Sequence, residues 1–171
     1  LSIRHSDILA GVRYLPKYDA SLSERQNDSF DKYYSGKGDT QRLKPRKAYI
    51  LHNQKRNDWQ LQVFEGTMPV EEALALAKSY QCTLTELFVA LLMWSIQQER
   101  NLRDRKNPVV VSVPVNLRKY FPSRSVRNFF SVINIGYGFP TEDMELEELI
   151  KEVHRVMADE LTMEYLQHRL D

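Results

Sequence analysis

Hydrophobic and polar positions change their period along the chain, and each change predicts an element. Phe30, Tyr33 and Tyr34 have helical spacing behind Asp28 and Ser29, which predicts a short helix starting there. Two strand-like runs follow, Arg46 to His52 and Trp59 to Glu65. The second alternates Trp59, Leu61 and Val63 with Gln60 and Gln62, and the Asn57-Asp58 pair between the runs predicts a hairpin. Pro69 then sits where a first helical turn tolerates proline. Behind it Val70, Ala73, Leu74 and Ala77 recur at i, i+3, i+4 and i+7, an amphipathic helix of about three turns.

Thr83 and Glu86 form a capping-box pattern, and the helix they open is apolar nearly all round from Leu87 to Ile96. Such a helix is expected to be covered on most sides. Pro108 leads into Val109-Val110-Val111-Ser112-Val113, a β-branched run that predicts a central strand. Phe129 to Tyr137 predicts another, with Phe129, Ser131, Ile133, Ile135 and Tyr137 on one face and Phe130, Val132, Asn134 and Gly136 on the other. Leu146, Leu149, Ile150, Val153, Val156, Met157 and Leu161 stripe a long helix, and a last short one covers Met163 to Leu170. The fold class is therefore α/β, a mixed sheet with helices packed on it. Residues 1–45 read as a connecting arm with a short helix, and residues 46–171 as the α/β lobe.

Composition narrows this picture without changing it. The 171 residues are 42% hydrophobic and 27% charged with a net charge of +1, values of one folded domain rather than a disordered or fibrous chain. The one cysteine, Cys82, cannot make an internal disulfide, which favours a reducing, cytoplasmic setting. No window approaches the roughly 20 apolar residues of a membrane span. The chain starts Leu1-Ser2-Ile3 without methionine or a signal pattern and is expected to be part of something longer. Charge is uneven: residues 99 to 128 hold eight basic side chains against two acidic, and residues 142 to 160 hold eight acidic against two basic. The first stretch offers charge to phosphate and the second reads as the solvated face of a helix, although solvated surface is the simpler account of both.

Catalytic chemistry is harder to find. His5, His52, His154 and His168 are scattered, and HExxH, CxxC, GxGxxG and P-loop patterns are absent, so no metal ligands and no catalytic residues are assigned. His154 falls on the polar flank of its helix and reads as a surface residue. Cys82 precedes a capped helix but has no base beside it in sequence, so it reads as structural. One segment stands out: Ser112-Val113-Pro114-Val115-Asn116-Leu117-Arg118, Phe121-Pro122-Ser123, and Arg127-Asn128-Phe129-Phe130-Ser131. It places an amide and a guanidinium where one strand ends and another amide where the next begins. On chemistry alone Arg118, with five donors in a rigid fork, reads as a residue that locks the fold.

The order Pro-Val-Asn-Leu-Arg, Phe-Pro-Ser, Arg-Asn-Phe-Phe-Ser, preceded by helices entered through Met-Pro-Val-Glu-Glu and Thr-Leu-Thr-Glu, resembles the chloramphenicol acetyltransferase-like superfamily. That superfamily includes alcohol O-acetyltransferases and peptide condensation domains. The run Asn27-Asp28-Ser29-Phe30-Asp31-Lys32-Tyr33-Tyr34 resembles a segment following the first lobe of bacterial alcohol-acetyltransferase-like members. The resemblance covers about residues 28 to 161. It implies a two-lobed enzyme in which acyl-CoA and a small alcohol or amine acceptor meet in a tunnel. It also implies a general base, the second histidine of His-His-x-x-x-Asp-Gly. No such motif is present, nor the closing Asp-Phe-Gly-Trp-Gly, so the chain resembles the middle and early second lobe and is expected to be inactive alone.

Carried over by position, Asn116 and Arg118 resemble the Pro-Val-Asp-Leu-Arg structural element, with asparagine in place of aspartate. Asn128, Phe129 and Ser131 resemble the tunnel-facing strand, where a serine hydroxyl can donate to the thioester oxyanion. Arg124 and Arg127 are the candidate contacts to CoA phosphates. The leading expectation is a fragment of a CoA-dependent O-acyltransferase-like protein, with acyl-CoA as co-substrate and the N-terminal lobe as partner. The alternative is a noncatalytic interaction domain that keeps the lobe fold and pairs with another subunit or another copy of itself. Nucleic-acid binding through residues 100 to 127 rests on charge alone, without a stacking platform, and is not adopted.

Overall fold

A computed structural model describes residues 20–36, 47–51, 63–101, 106–139 and 145–171. The chain is α/β: among the described residues it forms six α-helices and one two-stranded antiparallel sheet. In the arm, α1 (Leu22–Gln26) opens on a capping box made by Ser21 and Glu24, and α2 (Ser29–Tyr33) opens on Asp28, whose carboxylate accepts from the Phe30 N–H. The second of these is the expected helix. The first carries an S-x-x-E signal as readable as any other in the chain.

In the lobe, α3 (Val70–Ser79) and α4 (Leu84–Glu99) form a hairpin. The joint is chemically specific: Cys82 N–H bonds to the Ala77 carbonyl and Gln81 N–H to the Lys78 carbonyl, a Schellman cap in which Gln81 stands at φ 54°. A side chain in that left-handed position strains the backbone, and Gln81 is solvent-exposed. Gln81→Gly is therefore expected to raise thermal and urea stability by about 1 kcal/mol, read as a shift in the urea midpoint at constant slope. No gain would mean that the cap tolerates glutamine without strain.

The strands β1 (Val109–Asn116) and β2 (Phe130–Tyr137) pair along their whole length, from Val109 opposite Tyr137 to Asn116 opposite Phe130. Their odd-numbered face lies on α4 and α5 (Leu146–Glu160), with α6 (Met163–Leu170) against β2. The core joins Leu87, Ala90 and Met93 of α4 with Ile133 and Ile135 of β2 and Leu149, Ile150 and Val153 of α5. All eight are apolar and almost fully buried, so the helices and the sheet share one core.

Main-chain directions follow from the contacts at the outer edge of β2. The Val132 carbonyl accepts from Arg169, and the Asn134 N–H bonds to the Glu160 carboxylate, so even-numbered residues of β2 turn their backbone outward. The register then turns the even-numbered residues of β1 outward as well, Pro114 among them. Tyr49 N–H bonds to the Pro108 carbonyl on that same outer side.

Several expectations need correction. Residues 47–51 and 63–65 carry no strand, and the remainder of the two expected runs and their turn lies outside the described residues. The valine-rich β1 is not enclosed on both faces: Val110 is exposed on the even-numbered face, away from α4 and α5, and Val111, Val113 and Val115 on the other face are half-buried in a strand whose one partner among the described residues is β2. The described sheet is accordingly antiparallel rather than mixed. In α4, Phe88 and Leu92 are 44% and 50% exposed, so its apolar surface exceeds what the described elements cover. In α3 only Ala73 and Ala77 are buried while Val70 and Leu74 face outward, and Pro69 caps the helix rather than entering it.

Candidate functional site

Among the described residues, two concavities bring polar side chains together. The larger, about 850 Å³, opens where the arm lies on the loop between β1 and β2 and is bordered by Asp28, Lys32, Arg118 and Arg124. It is built from the end of β1 outward. Asn116 Oδ1 accepts from the Arg118 N–H at 3.1 Å, which turns the chain into a short 3₁₀ segment over Leu117–Lys119. Leu117 is fully buried and anchors that turn. Arg118 Nη2 then donates to the Ser125 carbonyl at 3.0 Å and to the Arg127 carbonyl, so one guanidinium closes the loop.

The arm is laced to the same loop. Ser125 Oγ donates to the Asn27 carbonyl at 2.6 Å, Val126 N–H bonds to the Arg25 carbonyl, Tyr33 donates to the Pro122 carbonyl, and the Ser29 and Ser123 hydroxyls share a hydrogen bond. Apolar contact backs these bonds: Phe129 meets Phe30 edge-on at 5.1 Å and Tyr33 in a near-parallel stack at 5.9 Å. The loop residues around Arg118 thus hold the arm as well as themselves.

The structure distributes the expected site residues unevenly. Asn116 and Arg118 do what their chemistry indicated, capping and tying the loop. Arg124 borders the larger cleft. Arg127 lies 3.8 Å from Asp28, an exposed pair that links the loop to the arm. Asn128 is exposed, Phe129 is buried and Ser131 is half-buried opposite Val115. Phe129 and Ser131 share the sheet face turned to the core, and none of these three residues borders the larger cleft. Two of the described members of the basic stretch are turned to the protein itself: Arg118 bonds to carbonyls, and Arg100 is buried against the Asn107 carbonyl at 2.8 Å and the rings of Tyr49 and Phe139.

The second concavity, about 510 Å³, lies between the α3–α4 turn and α5 and brings together Tyr80, Cys82, Ile150, Lys151 and His154. Beside it, Glu86 is buried with both carboxylate oxygens engaged. Oε2 accepts from the Thr83 N–H at 2.6 Å, and Oε1 lies 3.0 Å from His154 Nδ1. Burial pushes the Glu86 carboxyl up, but hydrogen bonds from Thr83 and His154 outweigh it and hold the group below its usual range. Burial and the Glu86 charge push the Cys82 thiol up, and its Sγ turns to the Ala77 carbonyl at 3.5 Å.

The Glu86–His154 pair escapes the sequence because 68 positions separate its members and Glu86 already has a complete role as a helix cap. Only the packing of α5 on α4 joins them. Among the described residues no group of three or more His, Cys, Asp or Glu is placed to hold a metal ion, and no helix is long and apolar enough to cross a membrane. No family model, curated protein or solved structure matches the chain.

Proposed function

We propose that this chain is the middle and early second-lobe portion of a CoA-dependent O-acyltransferase-like protein, working in the cytoplasm on a small alcohol or amine with a histidine base that lies outside it. The observation that carries the reading is the Pro-Val-Asn-Leu-Arg element. Its asparagine caps the turn, and its arginine closes the loop that leads straight into Asn128, Phe129 and Ser131. In this reading Arg124 meets a phosphate of CoA, Ser131 lies nearest the thioester, and Phe129 supports the strand that carries it.

The test is ester formation from acetyl-CoA and a short-chain alcohol, followed by mass spectrometry of the ester rather than by CoA release. The 171-residue chain is expected to form no ester while binding acetyl-CoA in a calorimeter, and Arg124→Ala to weaken that binding roughly twofold to fivefold, the range of one exposed ionic contact. Ester formed by the chain alone would refute the external base, and absence of acetyl-CoA binding would refute the CoA surface.

One observation favours the alternative, an interaction domain without chemistry. Phe88 and Leu92 on α4 and Phe130 on β2 remain about half-exposed, and Phe64, Val70 and Leu74 are also exposed, more apolar surface than the core of the described elements takes in. Sedimentation of the same sample separates the readings. A concentration-dependent dimer that binds no acetyl-CoA supports the interaction domain, and a monomer that binds it supports the acyltransferase portion.

A further inference from the structure

We infer that the groove beside His154 is a site of general-base hydrolysis for small carboxylic esters, with His154 as the base and Glu86 as the residue that positions it. The inference starts from the proton inventory. An ionised carboxylate only accepts, so the 3.0 Å contact to Glu86 Oε1 makes Nδ1 the donor, and in the neutral ring the lone pair is then on Nε2. Nε2 is on the opposite side of the ring, and the His154 side chain is 60% exposed while the Glu86 side chain is only 7% exposed. The buried group therefore holds the ring, and the open end remains accessible to water and to a ligand.

The surroundings fit a proton acceptor better than a metal ligand or a thiol nucleophile. Lys151, one turn before His154, brings positive charge to the groove and is tied to Glu147 at 2.8 Å. Glu147 balances that charge, and the ammonium, which gives one hydrogen to Glu147, keeps two N–H donors for an oxyanion. Cys82 keeps its proton, for the reasons given above. The volume, about 510 Å³, accommodates a short acyl group and a small leaving group, with Ile150 and Tyr80 as apolar walls.

In the step itself, a water molecule gives a proton to Nε2 as its oxygen bonds to the ester carbonyl carbon. The carbonyl becomes an oxyanion near Lys151. Collapse breaks the bond to the leaving oxygen, which departs as alkoxide or phenolate, and Nε2 returns its proton to that oxygen or to solvent. No oxidant, metal or cofactor enters the balance. The inference does not rest on the acyltransferase reading, and its failure leaves that reading untouched.

The experiment uses the whole 171-residue chain and p-nitrophenyl acetate, with release of p-nitrophenolate followed from pH 5 to 9. The expected result is a rate constant above that of free N-acetylhistidine amide, cut about tenfold or more in His154→Ala and in His154→Gln. Cys82→Ser retains the rate. Glu86→Gln lowers it and shifts the midpoint of the pH profile, which a merely structural role for Glu86 would not do. Circular dichroism checks that each variant is folded. The titratable and charged groups facing His154 are Glu86, Tyr80, Cys82, Glu147 and Lys151, so Lys151→Met and Tyr80→Phe are run as controls on the profile. Equal rates for wild type and both His154 variants would overturn the proposal. So would loss of the rate in Cys82→Ser, or an acetyl group found on Cys82 by mass spectrometry.

Discussion

Replacing Phe129 with alanine is expected to lower the free energy of unfolding by about 3–5 kcal/mol, the cost of removing a fully packed aromatic side chain. Phe129 is 1% exposed, and its ring is held edge-on by Phe30 and face-on by Tyr33, two residues of the arm. The substitution therefore opens a cavity and also removes the surface on which α2 sits. Urea unfolding gives the number, and limited proteolysis of the arm gives its location, with cleavage expected to rise between residues 20 and 36. A loss below about 1 kcal/mol would mean that the ring borders open space and is free to face a ligand. Phe129→Leu, which keeps most of the volume, should recover at least half of the loss.

Arg118→Ala is expected to cost about 3 kcal/mol, from two charge-assisted hydrogen bonds of the guanidinium to backbone carbonyls. The loop from Tyr120 to Asn128 contains no regular element, and the Ser125 and Arg127 carbonyls depend on Nη2. Losing those bonds also loosens the arm, because Ser125 and its neighbour Val126 are two of the points where the arm attaches. Arg118→Lys should recover only part of the stability: the ammonium is more strongly hydrated and its stem holds it less rigidly. Amide exchange at Val126, whose N–H bonds across to Arg25, is the local readout and should accelerate in both variants. A loss under about 0.5 kcal/mol would show that the loop holds without its arginine.

Much of the fold was legible wherever a local rule had a single solution. The helices 84–99, 146–160 and 163–170 follow from capping residues and 3.6-residue stripes, and the strands 109–116 and 130–137 from β-branched runs. Apart from α1, whose capping box is local, what escaped depends on contacts between distant segments. Nothing in the order Leu87 to Ile96 says that Phe88 and Leu92 face outward, since a helix apolar on every side has no pattern to distinguish its faces. The reading of β1 as a central strand is likewise not decided by its sequence: valine at successive positions records β propensity, not the number of neighbouring strands, and among the described residues β1 has one, β2. At the site, Arg118 was readable because a guanidinium at a strand end has few alternatives to tying the loop. His154 was not, since its partner comes from another helix.

The two edges of the sheet bear on how the chain behaves when crowded. A newcomer strand needs an unbroken row of donors and acceptors to align with. On β2 Arg169 and the Glu160 carboxylate engage two groups of that row, the Val132 carbonyl and the Asn134 N–H, and on β1 it is interrupted at Pro114, which has no N–H to give. A segment as rich in valine as 109–115 would otherwise nucleate cross-β stacking. Shielded on one side and broken on the other, it can be made at high concentration in a cell with fewer openings for fibril growth.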